Sequence, residues 1–237
     1  MIRDYEKETI KRVAWIRGIL DKAGANAIVF GSSGGKDSVL AGILCRMACE
    51  NTLGVTMPCG SFADEEDVQL FARHFDIKHI QIDLTETKSG LAAAIGSTLN
   101  KQADINIAPR LRMTTLYALA ANRGALVAGT SNRSEIHVGY YTKWGDGGCD
   151  FNPIADLTVT EVFEFLKHLG APEIFYTKPP SAGLFEGQTD EADMGVTYAE
   201  IDDYLLNGVK GENFDIIERR HNANNHKRMP VAKPNEI

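Results

Sequence analysis

At 237 residues, 43% of them hydrophobic, the chain has enough apolar material for one large core, yet no run approaches the roughly 18 apolar residues of a membrane span. A net charge of −7 argues against a broad basic face of the kind that binds nucleic acid. Cys45, Cys49, Cys59 and Cys149 form neither a C-x-x-C pair nor a spaced framework, and Met1-Ile2-Arg3-Asp4 is not a signal-peptide start, so a reducing cytoplasm is the expected setting.

Residues 4–23 read as a helix with Ile10, Val13, Ile16 and Leu20 on one side, ended by Gly24. Ala27-Ile28-Val29-Phe30 is a buried strand. It breaks into Gly31-Ser32-Ser33-Gly34-Gly35-Lys36-Asp37-Ser38, and a helix carrying Val39, Leu40, Ile43, Leu44 and Met47 follows. Successive N–H groups in such a turn, together with the positive end of the helix, make an anion cradle. The Walker A pattern fails twice here: Phe30 stands where its first Gly belongs and Asp37 where its Ser/Thr belongs. Cys45 and Cys49 share a face of this helix and, with no second Cys or His cluster beside them, read as small core residues.

Leu53 to Met57 is a second strand ended by Pro58, and Asp64 opens a helix with Val68, Phe71, Ala72 and Phe75 at helical spacing. His79 to Asp83 is a third strand, Thr85–Thr98 and Leu111–Ala121 are helices, the latter buried, and Ala125–Gly129 is a fourth strand. This alternation implies βαβ units and an α/β fold: one domain over residues 1–237 with a parallel, doubly wound sheet and helices on both faces. Ligands of such sheets bind at the carboxyl ends of strands where the order reverses, which puts Gly31–Ser38 and Gly129-Thr130-Ser131-Asn132 on one rim. Ser134 to Asn152 has no period and reads as a long functional loop. Thr158-Val159-Thr160-Glu161 has the capping-box pattern and opens a helix through Val162, Phe163 and Leu166 to Gly170. Thr177–Met194 is a second irregular stretch, Tyr198–Leu206 a short helix, and the tail from Glu218 is basic.

Six motifs occur in order: Ser33-Gly34-Gly35-Lys36-Asp37-Ser38, Ala108-Pro109-Arg110-Leu111-Arg112-Met113, Gly129 to Glu135, Gly139 to Gly147, Lys178-Pro179-Pro180-Ser181-Ala182 and His226-Lys227-Arg228. The first resembles the loop of the ATP pyrophosphatases, whose fold is adenine nucleotide alpha-hydrolase-like. Together the six resemble the ammonia-dependent NAD synthetases. The resemblance implies that the nicotinate carboxylate of deamido-NAD attacks the α-phosphorus of ATP, that pyrophosphate leaves, and that ammonia displaces AMP. It implies Mg²⁺ held by Asp37 and Glu135, and ATP bound by Gly31, Ser32, Ser33, Gly34, Gly35, Lys36, Asp37, Ser38, Thr130, Lys178 and Ser181. Deamido-NAD is expected on Arg110, Lys143, Asp150, His226 and Lys227. Asp146 is the candidate for accepting the ammonium proton or positioning ammonium. The family's members are homodimers, and the absence of a segment for a glutaminase domain leaves nitrogen to free ammonia or a separate glutaminase.

Taken alone, the same residues have plainer readings. Asp37 is a helix N-cap, Arg110 a surface residue at a helix start, Lys143 a solvated loop lysine, Asp146 a turn residue, and the tail an exposed basic face. The chain also departs from the family where Leu157-Thr158-Val159 replaces Leu-x-Lys, a lysine that touches ATP. Another cation, Lys178, Lys36 or Lys167, must take over or ATP binds more weakly. A sister enzyme amidating another carboxylate or acting on tRNA, and a nucleotide sensor without turnover, are the rival readings.

Overall fold

Four strands, β1 (Ala27–Gly31), β2 (Thr52–Thr56), β3 (Lys78–Gln81) and β4 (Ala125–Ala128), pair in parallel in the order β3-β2-β1-β4. The register sets Phe30 opposite Gly54 of β2 and Ala128 of β4. The computed structural model describes residues 3–60, 65–177 and 189–234. Parallel neighbours need crossovers, and helices supply them: α1 (Tyr5–Ala23) precedes the sheet, then α2 (Lys36–Ala48) and α3 (Glu65–His74) link the first three strands. The passage to β4 runs through α4 (Thr85–Ile95), α5 (Lys101–Ile105) and α6 (Ile107–Arg123). Beyond the sheet lie α7 (Arg133–Val138), α8 (Val159–His168), α9 (Ile174–Thr177), α10 (Asp190–Met194), α11 (Tyr198–Asn207), α12 (Phe214–Ala223) and α13 (Asn225–Arg228).

Alternation along β1 divides the core. Ile28 and Phe30 pack with Ile16 and Leu20 of α1, Leu40 and Leu44 of α2, Phe71 of α3 and Phe165 of α8. Val29 faces the other way, with Val55 of β2 and Met113, Leu116 and Ala120 of α6. Helices therefore cover both faces, and each fully buried Leu, Ile or Phe contributes about 1.5–3 kcal/mol. A third, smaller cluster joins Val138, Val159, Met194, Val196, Tyr198, Ile201 and Ile217, tying α7, α8, α10, α11 and α12 together beyond the sheet.

Several expectations need correcting. Ile10 is 66% exposed, and the buried side of α1 carries Thr9 and Arg12 instead, because Arg12 reaches Asp156 and the Pro153 carbonyl at 2.6 Å each. The stretch expected to be a loop from Ser134 begins as α7, started by a capping box between Asn132 and Glu135 and closed by Gly139 at φ 69°. Six residues are too few for a visible helical period. The helix expected from Leu111 begins at Ile107, α5 was not anticipated, α4 stops at Ile95, and much of the basic tail lies in α12 and α13. Asp64, where the third helix was expected to start, and most of the irregular Thr177–Met194 stretch lie outside the described residues; Asp190–Met194 is helical.

Candidate active site

β1 has β2 on one side and β4 on the other, so the chain reverses its winding direction between β1 and β4. In a parallel sheet this opens a crevice at the carboxyl ends of those strands. The Gly31–Ser38 turn enters that crevice as an extension of the ladder, with the Ser32 N–H donating to the Val55 carbonyl at 2.9 Å. It then folds on itself. The Ser33 N–H and hydroxyl both meet the Ser38 hydroxyl, at 3.3 and 3.2 Å, and Ser38 donates to the Gly35 carbonyl at 2.9 Å. Gly34 has φ +79°, and a Cβ there would lie 3.2 Å from Asp67 Cβ and 3.3 Å from Val68 Cγ2, so conformation and space both call for glycine. Gly35 is the N-cap of α2 and has no side chain to bond the first-turn N–H groups, which leaves the positive end of a 13-residue helix facing the crevice. The Ser32 hydroxyl is buried without a hydrogen-bond partner among the described residues, a polar atom suited to a ligand.

Asp37 stands at the start of α2 and Glu135 at the start of α7, and one residue links them. The Asn132 side chain donates to Asp37 Oδ1 at 3.0 Å and accepts the Glu135 N–H at 2.9 Å, while its own N–H donates to Glu135 Oε2 at 3.1 Å. Asn132 is fully buried, so this bridge across 95 residues of sequence is a fixed part of the fold. Burial, then the nearby Asp37 charge, raises the Glu135 carboxyl well above the usual carboxylate range. Two carboxylates pressed together in this way call for a cation. In this structure the Lys36 ammonium supplies one, 2.8 Å from Asp37 Oδ2. Burial opposes that ammonium, but Asp37, Glu135 and Asp190 outweigh it and raise its pKa.

Thr130 follows β4 on the same rim and is half-buried. Lys178 and Ser181 lie outside the described residues. Val159 is only 3% exposed and sits in the third apolar cluster, so its side chain offers the site no charge.

The expected dinucleotide residues gather around the segment after α7. Lys143 Nζ donates to the His226 carbonyl, and Arg110 Nη2 donates to the Lys143 carbonyl at 3.3 Å. Lys227 Nζ donates to the carbonyls of Gly139 and Tyr141, at 2.7 Å each, and lies 5.3 Å from the centre of the Tyr141 ring. Asp146 closes this turn by accepting the Thr142 N–H at 3.0 Å. Solvent reaches the residue, while crowding by protein atoms raises its carboxyl pKa against the opposing pull of Thr142 and Lys227. The Asp150 carboxylate also has a structural place, accepting the Val127 N–H at 2.7 Å and the Tyr117 hydroxyl at 3.1 Å at the outer edge of β4. Sequence reasoning does not single out Asn132, Asp190 or Tyr198, which the fold brings beside Asp37, Glu135 and Lys36. Asn132 was detectable, since Asn132-Arg133-Ser134-Glu135 matches an N-cap followed by Glu at the third position.

The sequence profile of the family described as NAD synthase matches residues 8–233. The chain is 47% identical over 238 residues to an NH3-dependent NAD+ synthetase of Carboxydothermus hydrogenoformans, covering 98% of each chain. Among solved structures it resembles an NMN synthetase from Francisella tularensis, with a TM-score of 0.92 at 34% identity, covering 99% of this chain and 100% of that one. An NH3-dependent NAD synthetase from Campylobacter jejuni gives 0.80 at 28% identity over 98% and 100%.

Proposed function

Because the chain belongs to the NAD synthase family, we infer that the rim between β1 and β4 is where it performs the family's reaction, with Asp37, Glu135 and the Gly31–Ser38 cradle at the reacting phosphates. The activity is ATP-dependent amidation of deamido-NAD to NAD with ammonia. The nicotinate carboxylate attacks the α-phosphorus, the bond to pyrophosphate breaks, and ammonia then displaces AMP from the acyl carbon, losing a proton.

A carboxylate approaching a polyanion must have its repulsion cancelled. The N–H groups at the start of α2 and the Lys36 ammonium do this from the side of the leaving pyrophosphate. Asp37 and Glu135 would hold Mg²⁺, which takes one or two carboxylates and completes its shell with water and phosphate oxygens; bound there, it neutralises charge on the phosphates. The pair's mutual repulsion and the cation already drawn to Asp37 support that fit. Thr130, Lys178 and Ser181 complete the ATP contacts. Arg110, Lys143 and Lys227 present cationic groups, and His226 an imidazole, to the dinucleotide phosphates, and Asp150 a carboxylate to a ribose hydroxyl or the pyridine end. Asp146 takes the ammonium proton or positions ammonium, a role its raised pKa favours.

We read the chain as a single catalytic domain that uses free ammonia or that of a separate glutaminase. It works as a homodimer in the reducing cytoplasm, where four free thiols are stable. The observation that carries the reading is the Asn132 bridge, which holds the two expected metal carboxylates together beside an uncapped helix start.

ATP–pyrophosphate exchange tests it. Exchange should depend on deamido-NAD, and amide should form when ammonium is added; exchange with a different acid alone would point to a sister enzyme, and ATP binding without exchange to a sensor. The TM-score of 0.92 to the NMN synthetase favours a second reading in which nicotinate mononucleotide is amidated in the same way. The ratio of kcat/KM for the mononucleotide and the dinucleotide decides between the two substrates.

A further inference from the structure

Lys36 is an unexpected residue to bury at the start of a helix. The N-terminal end of α2 carries positive partial charge, so an ammonium there is disfavoured unless anions surround it. The residue is 7% exposed, and three carboxylates face its charge: Asp37 at 2.8 Å, Glu135 and Asp190. Asp190 comes from α10, far outside the cradle in sequence. Its Oδ2 accepts the Tyr198 hydroxyl at 3.0 Å, and the Lys36 ammonium lies 5.2 Å from the centre of that same tyrosine ring. The Tyr198 N–H in turn donates to Glu191 Oε1 at 2.8 Å, so ring and carboxylate form one unit spanning α10 and α11.

Both oxygens of Asp37 are engaged. Oδ1 takes the Asn132 amide at 3.0 Å and Oδ2 takes the Lys36 ammonium. A metal ion arriving at Asp37 meets the Lys36 ammonium beside Oδ2, a like charge it must compete with. Asn132 is fully buried and locked in the capping box of α7, whereas Lys36 reaches Asp37 on a flexible four-carbon stem.

We propose that Lys36 is a built-in cation of the phosphate site: its ammonium neutralises Asp37 until a divalent metal displaces it, and Asp190 with Tyr198 then keeps it facing the phosphates of ATP. Asp190 and Tyr198 are thus positioning residues that act through Lys36. The proposal rests on the reading of Asp37 as a metal carboxylate, and its test separates the two.

Mn²⁺ alone is titrated into nucleotide-free protein and followed by loss of the free-ion electron paramagnetic resonance signal. Lys36→Met should bind Mn²⁺ about tenfold or more tightly than wild type, since a competing charge has gone. Equal or weaker binding overturns the proposal. Lys36→Gln, which keeps a hydrogen-bond donor among the carboxylates, carries the same measurement should the methionine variant not fold. Asp37→Asn should abolish Mn²⁺ binding; if it does not, the metal reading itself fails. For Asp190, the readout is the KM for ATP in two backgrounds. Asp190→Asn should raise it several-fold in wild type and leave it unchanged in Lys36→Met. An equal rise in both backgrounds would show that Asp190 does not act through Lys36.

Discussion

Val159 shows how burial decides what one residue can contribute. The resemblance calls for a lysine at this position, yet the side chain is 3% exposed, in a cluster with Val138, Met194, Tyr198 and Ile201. The helical spacing of Val159 with Val162 and Leu166 already put it on the apolar face, so its loss as a cation was legible in the sequence. Which cation stands in its place was not, because that depends on how α10 and α11 fold over the cradle. Lys36 is a buried ammonium close by, 5.2 Å from the centre of the ring of Tyr198, a member of Val159's own cluster. Restoring lysine should therefore bring a cost without a gain. Val159→Lys is expected to lose about 2 kcal/mol of stability, measured as a lower denaturant midpoint, with no decrease in the KM for ATP. Tighter ATP binding by this variant would return position 159 to the nucleotide site.

At the level of elements, the active rim is made where two helices begin. α2 starts at a residue with no side chain and keeps its first-turn N–H groups open, whereas α7 starts at Asn132 with both bonds of a capping box. On the proposed reading the difference assigns them different tasks: the open start is the one suited to an anion, and the capped start holds Glu135 still. Asn132→Ala removes the cap and the amide bonded to Asp37 together. It should lower stability by about 1–2 kcal/mol in urea unfolding and reduce kcat/KM for ATP by more than that loss of folded protein explains. An effect on stability alone would make Asn132 a cap and nothing more. The glycine turn and the capping pattern were both readable from residue types at fixed spacing, because each is satisfied within a few residues. That α7 is a helix was not, since six residues between Gly-rich segments carry too little period to stand out.

Across the whole molecule, α1 and the residues just before it are fastened to α8 and to the segment preceding α8 by charge as well as by apolar contact. Arg3 meets Asp156 at 3.0 Å and Glu161 at 2.6 Å, and Arg12 meets Asp156 at 2.6 Å. Burial raises the Asp156 carboxyl, but the hydrogen bonds and charge of Arg12, with Arg3, outweigh it and hold the pKa below the usual value. A carboxyl depressed in the folded state contributes stability above its unfolded pKa and loses it as pH falls through the folded one. Urea unfolding should therefore show declining stability below about pH 4, with a flatter profile and lower neutral-pH stability in Asp156→Asn. An unchanged profile would remove this network from the acid response. By itself the sequence determined the strands, most of the helices, the glycine-rich turn after β1 and the parallel α/β class, because hydrophobic period, glycine and turn chemistry act over short distances. Tertiary structure alone decided that Asn132 joins Asp37 to Glu135, that Asp150 closes the edge of β4, and that Lys36 lies between Asp37 and the Asp190–Tyr198 pair. Those contacts depend on which elements pack together, and a residue's own neighbours in sequence carry no record of that.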